Sequence, residues 1–267
     1  VDLHTVDTLR PARSREDLAL AQGETFLAGG TWLFSEPQHE VTGLVDLTTM
    51  DWEPWTVTSQ GLSISATCTI ARLLAHPGPA GWAAGGLFHQ CAEALVMSFK
   101  IWNTATVGGN LCLALPAGAM ISLTAALDAE VVVWTPDGGQ RREAVASFVT
   151  GPATTTLQPG EVLRAVEIPM AALQSRTEMR RASLTAMGRS SSIVIGRLED
   201  DRRFVLTVTA ATPRPYVLRF GASPSDDEVA AAIDRIDDWY DDPHGAPDWR
   251  AAVTRDLALD ICAALRP

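Results

Sequence analysis

Apolar and polar residues alternate at period two in "LSISA" (62–66) and in "FVLTVTA" (204–210), where Phe204, Leu206 and Val208 share one side. Such alternation predicts strands with one buried face. Short apolar runs at 26–28 and 44–47 predict buried strands, and further strands are expected at 193–197 and 216–220. "EVVVWTPDGGQRREAV" is a β-branched run, a Pro-Asp-Gly-Gly turn and a return run, the pattern of a β-hairpin. The chain from 147 to 169 then predicts a loop, a turn at Pro159-Gly160 and a strand.

Helical spacing appears elsewhere. Phe88, Cys91, Ala92, Leu95 and Phe99 predict one amphipathic helix over 86–99. "TIARLLAHP" (69–77) predicts a short helix with Thr69 as N-cap and Pro77 as its stop. "AMISLTAALDA" (119–129) is apolar on every side, with Pro116 suited to a first helical position. Near the end, Val229, Ile233, Ile236 and Tyr240 mark one helix face, and Trp249, Val253, Leu257, Ile261 and Leu265 mark another. The polar, Arg-rich segment 170–182 is expected to be the boundary between two lobes. Beyond it lies a small antiparallel sheet covered by helices, an α+β arrangement.

Composition changes this picture by exclusion. The chain has 267 residues, 46% hydrophobic and 20% charged, with a formal charge of −11. Nucleic acid or an anionic membrane needs a basic patch, and "RTEMRR" (176–181) is the nearest approach to one. Neither a membrane span nor a signal peptide is expected, because no run of about 18 apolar residues and no apolar h-region is present. Cys68, Cys91, Cys112 and Cys262 form no Cys-x-x-Cys pair. Reduced thiols in a cytoplasmic protein are the expectation.

The candidate chemistry lies in two loops, "FLAGGTWLF" (26–34) and "NTATVGGNLCLALPAGAM" (103–120). Each places a Gly-Gly pair after an apolar segment. Glycine lets backbone N–H groups approach a ligand, successive N–H groups form an anion nest, and a following helix adds partial positive charge. Two nests would suit a pyrophosphate approached from both sides. A pair of ordinary tight turns is the bland alternative, and no Gly-x-Gly-x-x-Gly fingerprint supports a Rossmann site.

"TATVGGNLCLALPAGAMISLTAALDAEV" resembles the signature of the FAD-binding (medium) subunits of the molybdenum hydroxylases, the xanthine dehydrogenase and carbon monoxide dehydrogenase type. "LAGGTWL", "LQPGEVLRAVEIP" and "DWRAAVTRDLALDICAAL" resemble other segments of that family, in the same order. The resemblance implies an FAD-binding lobe of two α/β subdomains of the vanillyl-alcohol oxidase class, about 1–55 and 56–172, followed by a C-terminal α+β domain, 173–267. It implies that Ala28, Gly29, Gly30, Thr31, Trp32 and Leu33 hold the pyrophosphate through their N–H groups. It implies that Thr106, Gly108, Gly109 and Asn110 contact phosphate or ribityl oxygens, that Val107 lies near the flavin ring, and that Leu163 offers a backbone contact. It also implies a molybdopterin-binding large subunit and a 2Fe-2S small subunit as partners, with electrons passing from the latter through FAD to an external acceptor. Four scattered cysteines supply no cluster ligation of their own.

The sequence departs from that pattern where the family's Pro-Ala-x-Asp acid is Ala119, where Arg-Asn is Trp102-Asn103, and where an acid after Ala-Gly-Gly-Thr is Trp32. The C-terminal segment "RASLTAMGRSSSIVIG" has no Lys, and Arg189 is its nearest substitute. A lost charged hydrogen bond lowers affinity about ten- to a hundredfold. A flavin-poor scaffold subunit and a stand-alone FAD oxidoreductase therefore stand as alternatives. Other residues carry less. His89 lies among core positions of a helix, Cys112 is expected to be a packed thiol, and "DRIDDWYDD" (234–242) a solvated helix end. Trp32 and Trp102 are the tryptophans placed to stack on a ring. No nucleophile elbow is present, so no catalytic acid, base or nucleophile and no metal ligand is assigned.

Overall fold

A computed structural model describes residues 3–75, 78–79, 81–96 and 98–266. His76 and Pro77, the expected helix stop, lie outside the described residues. The chain is mixed α/β and begins with β1 (Thr8–Pro11), β2 (Glu24–Leu27) and β3 (Gly43–Asp46). These form a parallel sheet in the order β1-β3-β2. Sequence alternation missed β1, whose side chains are largely exposed. A small core of Ala12, Leu18, Val45, Leu47 and Val162 lies beneath this sheet.

The middle of the chain builds a second, antiparallel sheet from β4 (Trp55–Thr58), β5 (Gly61–Ser65), β6 (Glu130–Trp134) and β7 (Gln140–Ala144). Next come the short pair β8 (Val149–Gly151) and β9 (Thr154–Thr155), and then β10 (Val162–Pro169), which inserts centrally to give β4-β5-β10-β6-β7. The helices α1 (Ile70–Leu74), α2 (Gly85–Ala94), α3 (Phe99–Thr104), α4 (Val107–Leu113) and α5 (Ala119–Ala126) lie between β5 and β6. Thr69 caps α1 as expected, its hydroxyl accepting from the Arg72 N–H. Two expectations fail here. The single helix over 86–99 is two helices, and Phe99 is 72% exposed, because Val96 takes a left-handed conformation and breaks the period. Pro116 lies before α5 rather than within it, since the helix opens at Gly118-Ala119. Every residue of α5 is buried, which explains its apolar circumference. His89 faces outward instead of lining the core.

After α6 (Val145–Phe148), the segment 170–182, expected to be the lobe boundary, holds α7 (Met170–Gln174) and a strand, β11 (Arg176–Ala182). It is the half-buried edge of a four-stranded antiparallel sheet with β12 (Ser192–Leu198), β13 (Phe204–Thr209) and β14 (Tyr216–Phe220). Its arginines concealed it, because an edge strand tolerates charge that a central one does not. One face of this sheet meets α5, where Ser122 and Thr209 share a buried hydroxyl–hydroxyl bond of 2.7 Å. The other face is covered by α8 (Asp226–Ile233) and α9 (Pro247–Leu265). The buried stripe of α9 is Arg250, Thr254, Ala258, Ile261, Cys262 and Leu265, one residue round from the expected stripe at its N-terminal half. The reason is polar: the Thr254 hydroxyl bonds Ser192 at 2.7 Å, and Arg250 is drawn inward by backbone carbonyls.

Asp128 ties the C-terminal sheet to the rest of the chain. Its carboxylate accepts from Arg197 and from both terminal nitrogens of Arg219, one at 3.0 Å. Burial raises the Asp128 pKa, the two guanidiniums lower it, and the guanidiniums prevail, holding it below the ordinary 3.8. A carboxylate with a depressed folded pKa contributes stability that is complete above its ordinary value and is lost as pH falls through the folded one. Thermal melts of Asp128→Asn should therefore lie below those of the parent at neutral pH and converge with them in acid. A constant gap down to the acid limit would mean that the charge of Asp128 is not what links these elements.

Candidate functional site

A large cavity lies between the carboxyl end of the parallel sheet and α4. Its volume is about 570 Å³, within the range of cofactor sites. One wall is Ala28, Gly29, Gly30, Thr31, Trp32 and Leu33, directly after β2. The facing wall is Thr106, Gly108, Gly109, Asn110 and Cys112, and Leu163 closes a third side from β10. Far-apart segments therefore converge, and the ends of parallel strands again supply the ligand crevice. Leu95, Ile101, Leu113, Leu115 and Leu157 make the remaining walls apolar.

The two glycine loops touch each other. A methyl carbon on Gly29 would overlap the Thr104 carbonyl oxygen and come 2.8 Å from its carbon. Gly30 takes φ +68°, a left-handed turn that bulky residues resist, and its amide oxygen accepts from the Phe34 N–H at 2.8 Å. Among the described residues, the N–H groups of Gly29, Gly30, Thr31, Trp32 and Leu33 donate to nothing in the chain. All belong to residues that line the cavity. Successive free amides around a left-handed residue form the nest that a phosphate requires.

The second loop is built differently, and only one loop is a nest. The Val107 N–H donates to the Cys68 carbonyl at 2.9 Å, Gly108 to Ala66 at 2.9 Å, Gly109 to the Thr106 hydroxyl at 3.1 Å, and Asn110 to the Thr106 carbonyl at 3.0 Å. Thr106 is thus the N-cap of α4, its hydroxyl oxygen engaged by the helix. Gly108 is required by close packing, since a methyl carbon there would lie 2.5 Å from the Ala66 side chain. Val107 does not face the cavity. Its side chain is fully buried in the core, because its backbone is pinned to Cys68. Asn110 lines the cavity, and its amide oxygen accepts the Met120 N–H at 2.9 Å, so that one side chain caps the start of α5. Its Nδ2 donor has no partner among the described residues.

Electrostatics narrow what the cavity accepts. Among the described residues no Lys, Arg or His lines it, and Arg189 is not among its walls. Its one carboxylate among the described residues, Glu161, is clamped by Arg141 at 2.8 and 2.7 Å and accepts the Gln158 N–H at 2.9 Å. The Arg141 bond, opposed by burial, holds Glu161 below the usual carboxylate range, so it is ionised but internally neutralised. Cys112, expected to be packed, lines the cavity. The surrounding protein pushes the thiol up to about 12, so it stays protonated. Ala119 is buried away from the cavity, and Trp102 packs against the core. Glu161, Thr67, Leu95 and Ile101 are lining residues that local pattern did not single out. Only the "PGEVL" turn, by its closeness to Leu163, carried a hint of one of them. Among the described residues no cluster of three His, Cys, Asp or Glu could hold a metal, and no helix is long and apolar enough to cross a membrane.

Residues 5–171 match the family described as FAD binding domain in molybdopterin dehydrogenase. The chain belongs to that family, and FAD is its cofactor. The whole chain is similar in fold to quinoline 2-oxidoreductase from Pseudomonas putida 86, with 22% identity, TM-score 0.79, and 96% of this chain and 95% of that one covered. It is also similar to carbon monoxide dehydrogenase from Hydrogenophaga pseudoflava, with 19% identity, TM-score 0.81 and coverage of 97% and 96%. The enzyme from Oligotropha carboxidovorans matches at 20% identity and TM-score 0.81, with the same coverage. No curated protein matches the sequence significantly. The free amides, the left-handed Gly30 and the apolar walls fit a dinucleotide with an aromatic ring at its end.

Proposed function

We propose that this chain is the FAD-binding subunit of a molybdopterin-dependent hydroxylase or dehydrogenase, in which electrons reach FAD from a 2Fe-2S partner subunit and leave to an external acceptor. Substrate chemistry then belongs to a molybdopterin-binding large subunit. The observation that carries the reading is the run of free amides from Gly29 to Leu33 in the wall of a cavity completed by the second glycine loop. In this assignment FAD-binding residues span 1–172, as subdomains 1–55 and 56–172, and 173–267 is a separate α+β domain. The family match over 5–171 and the break between the second and third sheets support that division. The complex is proposed to be a cytoplasmic heterotrimer, in keeping with four free cysteines.

The bound flavin supplies reversible one- and two-electron redox chemistry. The chain's residues hold and enclose it. The amides of Ala28 to Leu33 take the pyrophosphate, Asn110 Nδ2 donates to a polar oxygen of the cofactor, and Gly109, Thr106 and Leu163 complete the walls. Leu95, Ile101, Leu113 and Leu115 exclude water from the ring. Titration of the purified chain with FAD should give saturable binding near one per chain, with the visible bands of bound oxidised flavin surviving desalting. Absence of saturable binding, alone and with both partner subunits added, would overturn the reading.

A further inference from the structure

Trp32 has no evident structural task. It is 45% exposed, it belongs to none of the hydrophobic clusters, and its indole N–H has no partner among the described residues. Yet it lines the cavity, immediately after the nest residues Gly29, Gly30 and Thr31. Its neighbour Phe34 is accounted for, because its ring packs on Gly30 and its N–H closes the turn. The exposed indole thus faces the same cavity that would receive the rings of a ligand held at the nest. Among the described residues the cavity wall also has no cation to attract that ligand. Affinity must therefore come from neutral amides and from contact with flat apolar surface, which indole supplies with little loss of side-chain freedom.

We propose that the Trp32 side chain is a stacking wall for an aromatic ring of the bound dinucleotide, a positioning role beyond its backbone amide. This rests on the FAD-binding reading above. Full-length chain would be titrated with FAD, FMN and ADP, following flavin absorbance and tryptophan emission, for the parent and for Trp32→Phe, Trp32→Leu and Trp32→Ala. Stacking requires that Phe keep FAD affinity within a few-fold, and that Leu and Ala weaken it roughly ten- to a hundredfold. The emission difference between the parent and Trp32→Phe, which isolates Trp32 from seven other tryptophans, should disappear when FAD binds. Its loss with ADP assigns the partner ring as adenine, and its loss with FMN as the flavin. Thermal melts unchanged by Trp32→Ala would confirm that folding is intact. Should Ala or Leu bind FAD as tightly as the parent, the stacking role is overturned while FAD binding stands. Should the parent chain fail to bind FAD even with its partner subunits added, the underlying reading falls instead.

Discussion

Replacing Gly29 by alanine should abolish saturable FAD binding, or weaken it at least about a hundredfold, and lower stability by roughly 1–3 kcal/mol, the usual cost of forcing atoms into a packed site. The new methyl would meet backbone, the Thr104 carbonyl and the Ala105 Cα at 3.1 Å, and not the yielding tip of a side chain. Thr104 ends α3, and Ala105 is held by its carbonyl to the Ile70 N–H at 2.9 Å, so the obstruction is anchored on its far side. The first loop must therefore move away from the second. That movement opens the cavity along the line where its two walls meet, and it displaces the free amides from the phosphate. Binding falls steeply when several donors lose their geometry together. Gly86→Ala is the matched control. It lies in α2 with open space around it, so it should leave FAD binding unchanged and add up to about 1 kcal/mol of stability through helix propensity. Titration and urea unfolding of both variants decide the matter. If Gly29→Ala binds FAD like Gly86→Ala, the contact between the two loops does not shape the site.

Arg250→Met should be the most destabilising substitution in the C-terminal sheet layer, by about 3–5 kcal/mol. Arg250 is 1% exposed, and its guanidinium reaches four acceptors: the carbonyls of Gly245 at 2.9 Å and Ala210 at 2.7 Å, the Ser191 carbonyl, and the Asp242 carboxylate. Burial pulls its pKa down and Asp242 opposes this, and an arginine so held remains charged. Methionine fills much of the volume but leaves the carboxylate and the carbonyls without donors. Swapping out a buried ion pair can be neutral when both partners are replaced. Here it is not, because three of the acceptors are backbone and cannot be mutated away. Lysine should do nearly as badly, since one ammonium cannot span acceptors on three separate segments. A loss is serious against a total stability of about 5–15 kcal/mol. Chemical denaturation measures it directly, and a loss under about 1 kcal/mol would show that the Arg250 network does not hold α9 to the sheet.

The same arginine shows where reading from sequence stops. Every fourth residue from Trp249 to Leu265 is apolar, and the natural inference is that this stripe packs. In the fold, Trp249, Val253 and Leu257 are half-buried while Arg250, Thr254 and Ala258 are buried beside them. The helix turned to satisfy Arg250, whose partners at 191 and 210 are distant in sequence. Asp242, expected to be a solvated acid, is another partner. In a similar way β11 was concealed by its arginines and β1 by its exposure, since the pattern that marks a strand is a buried face that neither edge fully has.

What the sequence determined by itself is local. Alternation placed β5 and β13, a β-branched run with its Pro-Asp-Gly-Gly turn placed the β6–β7 hairpin, continuous apolarity placed α5, a threonine in front of an apolar turn placed the start of α1, and two Gly-Gly pairs marked both cavity walls. These depend on steric freedom and side-chain period, properties of a few consecutive residues. The tertiary structure decided which of those glycines serve the ligand. The loops look alike, yet the amides from Val107 to Asn110 are consumed by Ala66, Cys68 and Thr106, whereas those from Gly29 to Leu33 remain free. It also turned Val107 into the core and Cys112 onto the cavity wall. A backbone donor is available only if no acceptor elsewhere in the fold has reached it first, and that depends on the packing of β5 against α4, which no single loop encodes.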